Sequence, residues 1–332
     1  MVYVGVSGRF LVNLEALNMA ESVGNVVKHK RAPIVVKTKD GFTVHFVPVI
    51  SGASIAHGYQ EILARIASEM GLPVCDLCAK GIFLKHSSTE LLKSDRLNKE
   101  HRERLLKLQK DVHGFEKEVI SSCVVEDVGG FLYPGATPVK RTSRFFVGYM
   151  IPSLAHPEAY ASEALFHVRY DPERPAGGGE SEQAIYYVET GSALYVLNMA
   201  LDIDGIGRTS AIKVETLDDR DKRIEAALKA LAILVTNLEF GAKRSRFLPQ
   251  WVVESLVVTA SRKYPFNPVP GHFDNYIELT KKFADSHSRT LDDEIAIAAY
   301  VSKDSAATTV EGIMKPTPMD ALEAVFGALR GW

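Results

Sequence analysis

The first 50 residues carry apolar runs broken by turn-forming residues, as in a β-rich segment. Residues 2–12 are rich in Val, Tyr and Phe, which is typical of a strand buried on both faces. For residues 14–20 we predict a short helix. Two β-rich runs, 34–36 and 42–49, then flank Asp40-Gly41, and an Asp-Gly pair supplies the positive φ that a tight hairpin turn needs. The pattern therefore predicts a strand, a short helix and a β-hairpin.

Two longer segments carry the spacing of an amphipathic helix. In residues 54–70 apolar side chains recur every three or four positions, and Ser51 or Ser54 can cap the N-terminus. Residues 219–238 carry a continuous apolar stripe and begin with aspartates, which favour the positive end of a helix dipole. Gly241 follows where a left-handed helix cap is expected. We predict a helix in each segment.

The first part of the segment between these two helices is more highly charged than the helices themselves. Gly71-Leu72-Pro73 ends the first helix, and residues 89–117 are heavily charged with a narrow apolar face. A helix of this kind is typical of an insertion that packs on one side of a core. We therefore predict that residues 71–136 form a mainly helical insertion.

Strand-like patterns return after residue 137. The strand-like runs are 144–149, 184–188, 193–203 and 251–259. Between them, residues 171–182 contain two prolines and three consecutive glycines, which predicts a flexible loop. Two more helices are predicted near 274–285 and 318–330. No repeat of fixed period occurs, which excludes solenoids and propellers.

The order of the predicted core elements is strand, helix, strand, strand, helix, strand. This βαββαβ order is that of a ferredoxin-like sheet, the sheet of RNA-recognition motifs (RRM-like). We therefore predict an α+β fold with a βαββαβ palm, a helical insertion and protruding β-hairpins. Residues 1–70 would form the first half of the palm with an inserted hairpin, and residues 137–332 the second half with the C-terminal helices.

The composition is that of an ordinary globular chain with balanced charge. Of its 332 residues 46% are hydrophobic and 24% charged, and 39 Lys+Arg against 41 Asp+Glu give a net charge of −2. This excludes a disordered or fibrous chain and a protein that coats nucleic acid by bulk attraction. Without an apolar run of about 18 residues, we expect no membrane span. Three cysteines, and a strand-like Val2-Tyr3-Val4-Gly5 in place of a signal peptide, favour a reduced, cytoplasmic compartment.

Common nucleotide-binding and hydrolase motifs are absent from the sequence, and we predict no cofactor. The patterns G-x-x-x-x-G-K-[ST], G-x-G-x-x-G and H-E-x-x-H do not occur. Cys75 and Cys78 form a C-x-x-C pair, and His86 and Cys123 are the residues that would complete a tetrahedral zinc site. The second C-x-x-C or H-x₃₋₅-H of a usual zinc site is missing, so we predict buried thiols rather than a metal site.

Three short windows concentrate basic residues at the ends of predicted elements. Lys28–Arg31, Lys140–Arg144 and Lys243–Arg246 hold nine of the 39 Lys and Arg. At the end of an element, side chains and backbone N–H groups converge, and this suits the binding of phosphates. A basic run is more often a solvated surface, but three such runs in a slightly acidic chain favour nucleic-acid binding.

The histidines offer an enzymatic interpretation. His29, His45 and His57 lie in the first third of the chain near Ser51, and a His pair suits general acid–base cleavage of RNA. None has an evident partner in the sequence, and a lone histidine on an apolar face is more often a core residue. No clustered carboxylates suggest a two-metal nuclease. We therefore expect no enzymatic activity.

Several stretches between residues 7 and 249 resemble one known family. They are Ser7-Gly8-Arg9-Phe10, Leu17-Asn18-Met19, Gly24-Asn25, His29-Lys30-Arg31-Ala32-Pro33, Val49-Ile50-Ser51-Gly52, Ala56-His57-Gly58-Tyr59-Gln60, Gly81-Ile82-Phe83-Leu84-Lys85-His86, Lys140-Arg141-Thr142-Ser143 and 240–249. In this order they resemble the DevR-type CRISPR-associated proteins, specifically the backbone subunit (Cas seven) of archaeal type I-A Cascade complexes. They span about three quarters of the chain.

The resemblance implies an RRM-like palm with a helical insertion and a protruding hairpin. Copies would polymerise head to tail along a CRISPR RNA and hold its spacer for pairing with target DNA. Other Cascade subunits would dock beside this filament, and cleavage would be left to a recruited nuclease. The basic-aromatic RNP signature of ordinary RNA-recognition motifs is absent, so we do not expect bases to stack on the sheet. We expect the protein to follow the phosphates and leave the bases free to pair.

The residues that we expect to contact the RNA fall into two groups. The basic residues expected to bind phosphates are Arg9, Lys28, Lys30, Arg31, Lys140, Arg141, Arg144, Lys243, Arg244 and Arg246. The polar residues expected in the same interface are Asn18, His29, Ser51, His57, Gln60, Ser143 and Ser245.

Two other functions stay open at this point. A DevR-like transcriptional regulator would need a helix-turn-helix with a basic recognition helix, and the sequence offers none. A metal-dependent endoribonuclease, as among some type III relatives, would need an aspartate on a loop. Asp40 is the nearest match in type, although the hairpin turn fully explains its Asp-Gly context.

Overall fold

A nine-stranded sheet, two small hairpins and eight helices form the described part of the computed structural model, which comprises residues 2–15, 19–23, 26–135, 137–156, 160–168, 185–237, 239–241, 244–245 and 248–332. The strands are β1 (Tyr3–Glu15), β2 (Met19–Val23), β3 (Val26–His29), β4 (Arg31–Thr38), β5 (Gly41–Pro48), β6 (Phe131–Tyr133), β7 (Val139–Arg141), β8 (Phe145–Val147), β9 (Ile151–Pro152), β10 (Tyr160–Val168), β11 (Ile185–Asp202), β12 (Gln250–Ser261) and β13 (Ile295–Val301). The helices are α1 (Gly52–Glu69), α2 (Thr89–Lys93), α3 (Lys99–Lys107), α4 (Val112–Ser122), α5 (Val124–Gly129), α6 (Arg220–Thr236), α7 (Tyr276–Leu291) and α8 (Pro318–Leu329). The architecture is mixed α+β, as predicted.

Strand β1 lies in the middle of the large sheet. It pairs antiparallel with β11 on one side and with β12 on the other, and the sheet runs in the order β13-β12-β1-β11-β3-β2. Strands β8, β9 and β10 also pair antiparallel with β11. The sequence predicted two separate strands, whereas the structure has a single strand of 18 residues, β11. The strand is continuous because its successive parts pair with different partner strands along its length.

The main core lies between this sheet and helices α1 and α6. On β1, Val4, Val6, Phe10 and Val12 are fully buried against the helices, as the period of two requires for one face of a strand. Helix α8 adds to the same core, while α7 packs with β13 in a separate apolar cluster. The prediction of a strand buried on both faces is thus confirmed, since Ser7 is also fully buried on the opposite face.

The helix predicted over residues 14–20 is wrong in the described residues. Strand β1 continues to Glu15, and Met19 begins β2. The backbone of Glu15 still pairs with Gly191 of β11 after an irregularity in the register. Pairing across the sheet therefore prevails over the weak helical spacing of this segment.

The predicted hairpin and the two long helices are confirmed. Strands β4 and β5 pair from Arg31↔Pro48 to Thr38↔Gly41, and Gly41 has a φ of +142°. The Ser51 side chain accepts a hydrogen bond from the Ser54 N–H at 3.3 Å and caps α1. Helix α6 ends at Asn237 in an extended conformation, so Gly241, despite its positive φ, is not the helix cap.

Residues 71–135 contain helices α2 to α5 and the small β6–β7 hairpin. They enclose an apolar cluster of their own, in which Leu92, Leu105, Phe115 and Ile120 are fully buried. Strand β13 is an element that the sequence pattern did not predict; three of its seven residues are alanine, which is depleted in strands. The loop predicted at 171–182 lies outside the described residues. Across the described part of the chain, no helix has the length and apolarity to span a membrane.

Candidate nucleic-acid interface

A cleft of about 450 Å³ opens beside the N-terminus of α1. Its lining residues come from four parts of the chain and are Gly52, Ala53, Ala56, Gln60, Lys85, Gly129, Ser143, Phe145, Phe146 and Val147. The first turn of a helix carries a partial positive charge on its N–H groups. A Cβ at Gly52 would lie 2.9 Å from the Val147 carbonyl oxygen, so the glycine lets α1 begin directly against the segment that contains β8.

Lys85 supplies the cation of the cleft. Its backbone adopts a φ of +54°, and its ammonium group donates a hydrogen bond to the Gly129 carbonyl oxygen at 2.9 Å. Burial lowers the pKa of Lys85, and the attraction of Glu126 opposes that effect. Within the described residues Lys85 forms no ion pair, so an anion that enters the cleft meets an unneutralised ammonium group.

Gln60 and Ser143 bring polar atoms to the same cleft. The Gln60 Nε2 donates to the Ala56 carbonyl oxygen at 2.8 Å, while its buried Oε1 accepts no hydrogen bond from a described residue. The Ser143 Oγ donates to the Phe145 carbonyl oxygen at 2.6 Å. An amide oxygen is a pure acceptor and suits a hydroxyl group, such as a ribose 2′-OH, rather than a phosphate.

A second hollow, of about 400 Å³, lies on the sheet side of the cleft and shares Phe146 and Val147 with it. The rings of Tyr3 and Phe146 face each other there with centroids 6.4 Å apart, and Asn198 contributes a side-chain amide. Phe146 is exposed. The two hollows therefore adjoin at Phe146 and Val147, one with a cationic lining and the other with an aromatic one.

The first basic window divides into exposed and buried members. Lys28 is exposed, and the Lys30 ammonium lies 5.2 Å from the ring centroid of Tyr149. The half-exposed Arg31 donates to Glu189 Oε1 at 2.8 Å. His29 is buried, its backbone N–H donates to Glu189, and burial lowers the pKa of its imidazole. The prediction that His29 contacts RNA is therefore corrected.

Arg141, in the second window, lies inside the protein. Its guanidinium pairs with Glu116 at 3.0 Å and also with Asp127, and all three side chains are fully buried. Lys140 is exposed, and Arg144 donates to Asp202 Oδ2 at 2.9 Å. A buried and neutralised guanidinium is not available to a phosphate, which removes Arg141 from the proposed interface.

The same correction applies to Arg9 at the centre of the sheet. Its side chain is fully buried, and its Nε donates to the Gly271 carbonyl oxygen at 2.7 Å. Its Nη1 lies 2.7 Å from Asp274 Oδ1. Arg9 is therefore a structural residue rather than a phosphate ligand.

The third window is described in part. Arg244 pairs with Glu239 at 3.2 Å, and Ser245 is exposed. A Cβ at Gly58 of α1 would lie 2.8 Å from the Glu239 carbonyl oxygen, so this window lies beside α1. Lys243 and Arg246 lie outside the described residues, as does Asn18.

Ser51 and His57 take different places on α1. Ser51 is buried as the helix cap. His57 is exposed, with its Nε2 3.3 Å from Glu61 and its ring centroid 4.9 Å from that of Phe83. Lys85 lies outside the basic windows and is not among the residues predicted to contact RNA. The family stretch 81–86 was the one signal that contained it.

The histidine and aspartate candidates for catalysis are dispersed. His29 contacts Glu189, His45 pairs with Ile34 across the hairpin and His57 contacts Glu61. Asp40 lies in the exposed hairpin turn. In the portion of the chain that the structure describes, the one group of three or more His, Cys, Asp or Glu close enough to share a metal ion is Cys75, Cys78, Cys123 and Glu126.

One face of the β4–β5 hairpin is apolar and exposed. Val35 and Val44 are a cross-strand pair and are each 56% exposed, and the same face carries Phe42 at 74% and Phe46 at 63%. The opposite face buries Ile34 against the body of the protein. Apolar patches of this kind commonly mark protein or ligand contacts.

Comparison with known proteins places the chain in a family. The sequence model of the CRISPR-associated negative auto-regulator DevR/Csa2 family matches residues 6–281, so the chain belongs to this family. It is 44% identical over 314 residues to the CRISPR-associated aCascade subunit Cas7/Csa2 2 of Saccharolobus solfataricus, which covers 92% of this chain and 94% of that protein. It is 38% identical over 324 residues to the CRISPR-associated protein Cas7/Csa2 1 of the same organism, with 96% of each chain covered. The predicted resemblance is confirmed.

Solved structures agree with the fold. Chains of a CRISPR RNA-guided surveillance complex and of such a complex in a pre-nicking state superpose with TM-scores of 0.53 and sequence identities of 8% and 11%. In each case 98% of this chain and 99% of the other chain are covered. The likeness therefore extends over the whole fold and does not depend on sequence.

Proposed function

We propose that this protein is a non-catalytic backbone subunit of a type I-A Cascade complex and binds the CRISPR RNA. Membership of the DevR/Csa2 family and the Cascade subunit among its relatives support this role. Other Cascade subunits and, through the guide RNA, target DNA are its further partners. We place it in the cytoplasm, where its three free cysteines stay reduced.

The proposed palm is RRM-like. Strands β12, β1, β11 and β8 are consecutive neighbours with antiparallel pairing throughout. Helix α1 follows β1 in the chain, and α6 follows β11. A βαββαβ unit requires this order of strands and helices, with both helices on one face of the sheet.

The RNA backbone follows the cleft beside α1. The observation that carries this proposal is the meeting of the Lys85 ammonium, the N-terminus of α1 and the free Oε1 of Gln60 in one cleft. The first two attract a phosphate, and a turn of the Gln60 side chain would bring its Oε1 within reach of a ribose hydroxyl. Lys30 on the Tyr149 ring and the exposed Lys28 extend the cationic surface.

Head-to-tail assembly uses the exposed hairpin face. The aromatic side chains of Phe42 and Phe46 lie on the solvent-exposed face of the β4–β5 hairpin, where a neighbouring copy can cover them. A contact between two different surfaces does not close on itself, and it therefore yields an open filament. The guide RNA sets the length of that filament.

The test is RNA binding by Lys85→Ala, with Lys229→Ala as a matched control. Lys229 is an exposed lysine on α6 that pairs with Glu225 and lies outside the cleft. Fluorescence anisotropy with a labelled CRISPR RNA across a series of salt concentrations measures both affinity and its salt dependence. The slope of log K against log salt is negative, and loss of one phosphate contact reduces its magnitude by about 0.7 on single-stranded RNA.

We expect Lys85→Ala to weaken binding and reduce the magnitude of that slope, and Lys229→Ala to change neither. Equal behaviour of the two variants would overturn the assignment of the cleft. Incubation of the wild-type complex with labelled target RNA and Mg²⁺ tests the absence of catalysis, because regular cuts would indicate an endoribonuclease. Binding to duplex DNA of its own promoter in preference to RNA would favour a transcriptional regulator.

A further inference from the structure

Three thiols and one carboxylate meet where the helical segment joins the palm. Ligand atoms of Cys75, Cys78, Cys123 and Glu126 all lie within 4.8 Å of one another. These are all three cysteines of the chain. Cysteines that serve only as small apolar side chains in a core need not lie near one another. The clustering of every cysteine of a 332-residue chain at one place therefore indicates a common role.

The four residues approach this point from two distant parts of the sequence. Cys75 and Cys78 lie in the loop after α1, where the Ala79 N–H donates to the Cys75 carbonyl oxygen at 3.0 Å. Cys123 stands between α4 and α5, and Glu126 lies in the first turn of α5. The Val124 N–H donates to the carbonyl oxygen of Pro73 at 2.9 Å, which joins the two parts beside the cluster.

The Glu126 carboxylate pairs with His86 through Oε2 and turns Oε1 toward the thiols. Its side chain is 2% exposed, and the structure describes no Lys or Arg within ion-pair distance of it. Its described partners are Cys75 Sγ at 3.8 Å and His86 Nδ1 at 2.7 Å. A carboxylate in an apolar interior is costly unless it is paired or bound to a metal.

We propose that Cys75, Cys78, Cys123 and Glu126 bind one zinc ion, which goes beyond the role proposed above and does not depend on it. Three sulfur donors and one oxygen donor fill a tetrahedral coordination sphere, as in closed structural zinc sites. The three thiols release their protons to solvent on binding, so the ligands act as thiolates.

His86 orients the site without binding the ion. Its Nδ1 contacts Glu126, and its Nε2 lies 3.1 Å from Nε2 of His101, whose Nδ1 contacts Glu118 at 2.9 Å. Partners of this kind fix the rotamer of a metal ligand. The sequence offered His86 as a candidate fourth ligand but favoured buried thiols over a metal site; the geometry instead brings Glu126 to the fourth position.

The ion would link the two ends of the helical segment. Helices α2, α3 and α4 all lie between Cys78 and Cys123 in the sequence. A link between the two ends of this segment reduces the freedom of its unfolded state, as a disulfide does over a comparable loop. The zinc therefore stabilises the segment against the end of α1.

Metal analysis of the full-length protein, purified under reducing conditions without added metal, is the first test. We expect about one zinc per chain by inductively coupled plasma mass spectrometry. Metal-free protein reconstituted with Co²⁺ is expected to show the visible absorption of tetrahedral cobalt and near-ultraviolet sulfur-to-cobalt charge transfer. A brown iron–sulfur chromophore would overturn the choice of zinc.

Four variants separate ligands from neighbours. Cys123→Ser and Cys75→Ser remove a sulfur donor and are expected to lose the bound zinc; Cys75 is partly exposed, so this variant does not depend on repacking of the core. His86→Gln is expected to weaken zinc about 10–100-fold in competition with a chelator. Val125→Ala, a buried neighbour of Glu126 without a ligand atom, is expected to keep the zinc.

The proposal fails on either of two results. One is a zinc content near zero in folded wild-type protein together with no cobalt spectrum after reconstitution. The other is equal zinc content in Cys75→Ser and the wild type. Neither result depends on RNA binding, so failure here is distinguishable from failure of the proposed function.

Discussion

The guanidinium of Arg9 and the carboxylate of Asp274 form an ion pair between residues 265 positions apart, with Nη1 and Oδ1 separated by 2.7 Å. Arg9 is fully buried and its guanidinium carbon lies 5.7 Å from the ring centroid of Tyr276. Asp274 is 43% exposed. The central strand thus holds the segment before α7 against the sheet. The Arg9 guanidinium is engaged in this contact.

Removal of either partner is expected to lower the free energy of unfolding, by unequal amounts. Asp274→Asn leaves a buried charge without a counterion and is expected to lose about 3 kcal/mol, the low end for a buried pair because the carboxylate is partly solvated. Arg9→Met removes the buried charge and leaves a solvated carboxylate, so its loss is expected to be smaller. Urea denaturation gives both values. A smaller loss for Asp274→Asn would contradict this account.

Arg141 is expected to behave as a structural residue as well. With Glu116, Asp127 and Arg223 it forms a buried network in which all four side chains are at most 1% exposed. Arg141→Leu leaves two buried carboxylates short of a partner and is expected to lower the free energy of unfolding by about 3–5 kcal/mol. The neighbouring exposed Lys140→Ala is the control. Equal stability of the two variants would be the contrary result.

The hairpin face is expected to act in assembly and not in stability. The double variant Phe42→Ser, Phe46→Ser removes two largely exposed rings, so the free energy of unfolding is expected to change by less than about 0.5 kcal/mol per site. Light scattering on RNA addition is expected to show smaller particles than the wild type. Phe283→Ser, which removes an exposed ring of α7, is the matched control. Unaltered growth of the double variant would exclude this face.

His272 is expected to make the protein less stable in acid. Burial, and next the charge of Arg9, lower the pKa of His272 to about 4 from its ordinary value of 6.5. Between these two values the unfolded chain binds a proton that the folded chain does not, so the free energy of unfolding falls as the pH falls. The slope for one proton is at most about 1.4 kcal/mol per pH unit.

Urea denaturation of the wild type and of His272→Gln between pH 7 and pH 4, a window of about 3 pH units set by these pKa values, measures this effect. We expect the stability of the variant to depend less steeply on pH, because it lacks the histidine whose pKa is lowered in the folded protein. Parallel curves for the two proteins would show that other groups produce the acid sensitivity.

Local patterns predicted the elements whose residues contact near neighbours. The Asp40-Gly41 turn and the Ser51 cap need nothing beyond their own segment, and both were predictable. The segment 14–20 was mispredicted because its conformation depends on pairing with β11, which begins about 170 positions later in the sequence.

The candidate site was less predictable for the same reason. A basic window does not reveal which arginine meets a carboxylate from elsewhere in the chain, as Arg141 does with Glu116 and Asp127. Lys85 stands alone in a less basic stretch and gains its character from burial without an ion pair among the described residues. The spacing of residues within one segment shows neither which side chains are buried nor which of them pair with residues far away in the sequence.

The place of β1 at the centre of the sheet also bears on the order of events during synthesis. Tyr3 pairs with Asp202 on one side and with Ser261 on the other. Both edges of the first strand therefore stay unpaired until these segments are synthesised, much later. At about 5–20 residues per second, the ribosome needs on the order of 10–50 s to supply them. An apolar strand with two open edges is prone to aggregate during this interval, and a chaperone that shelters the nascent N-terminus would protect it.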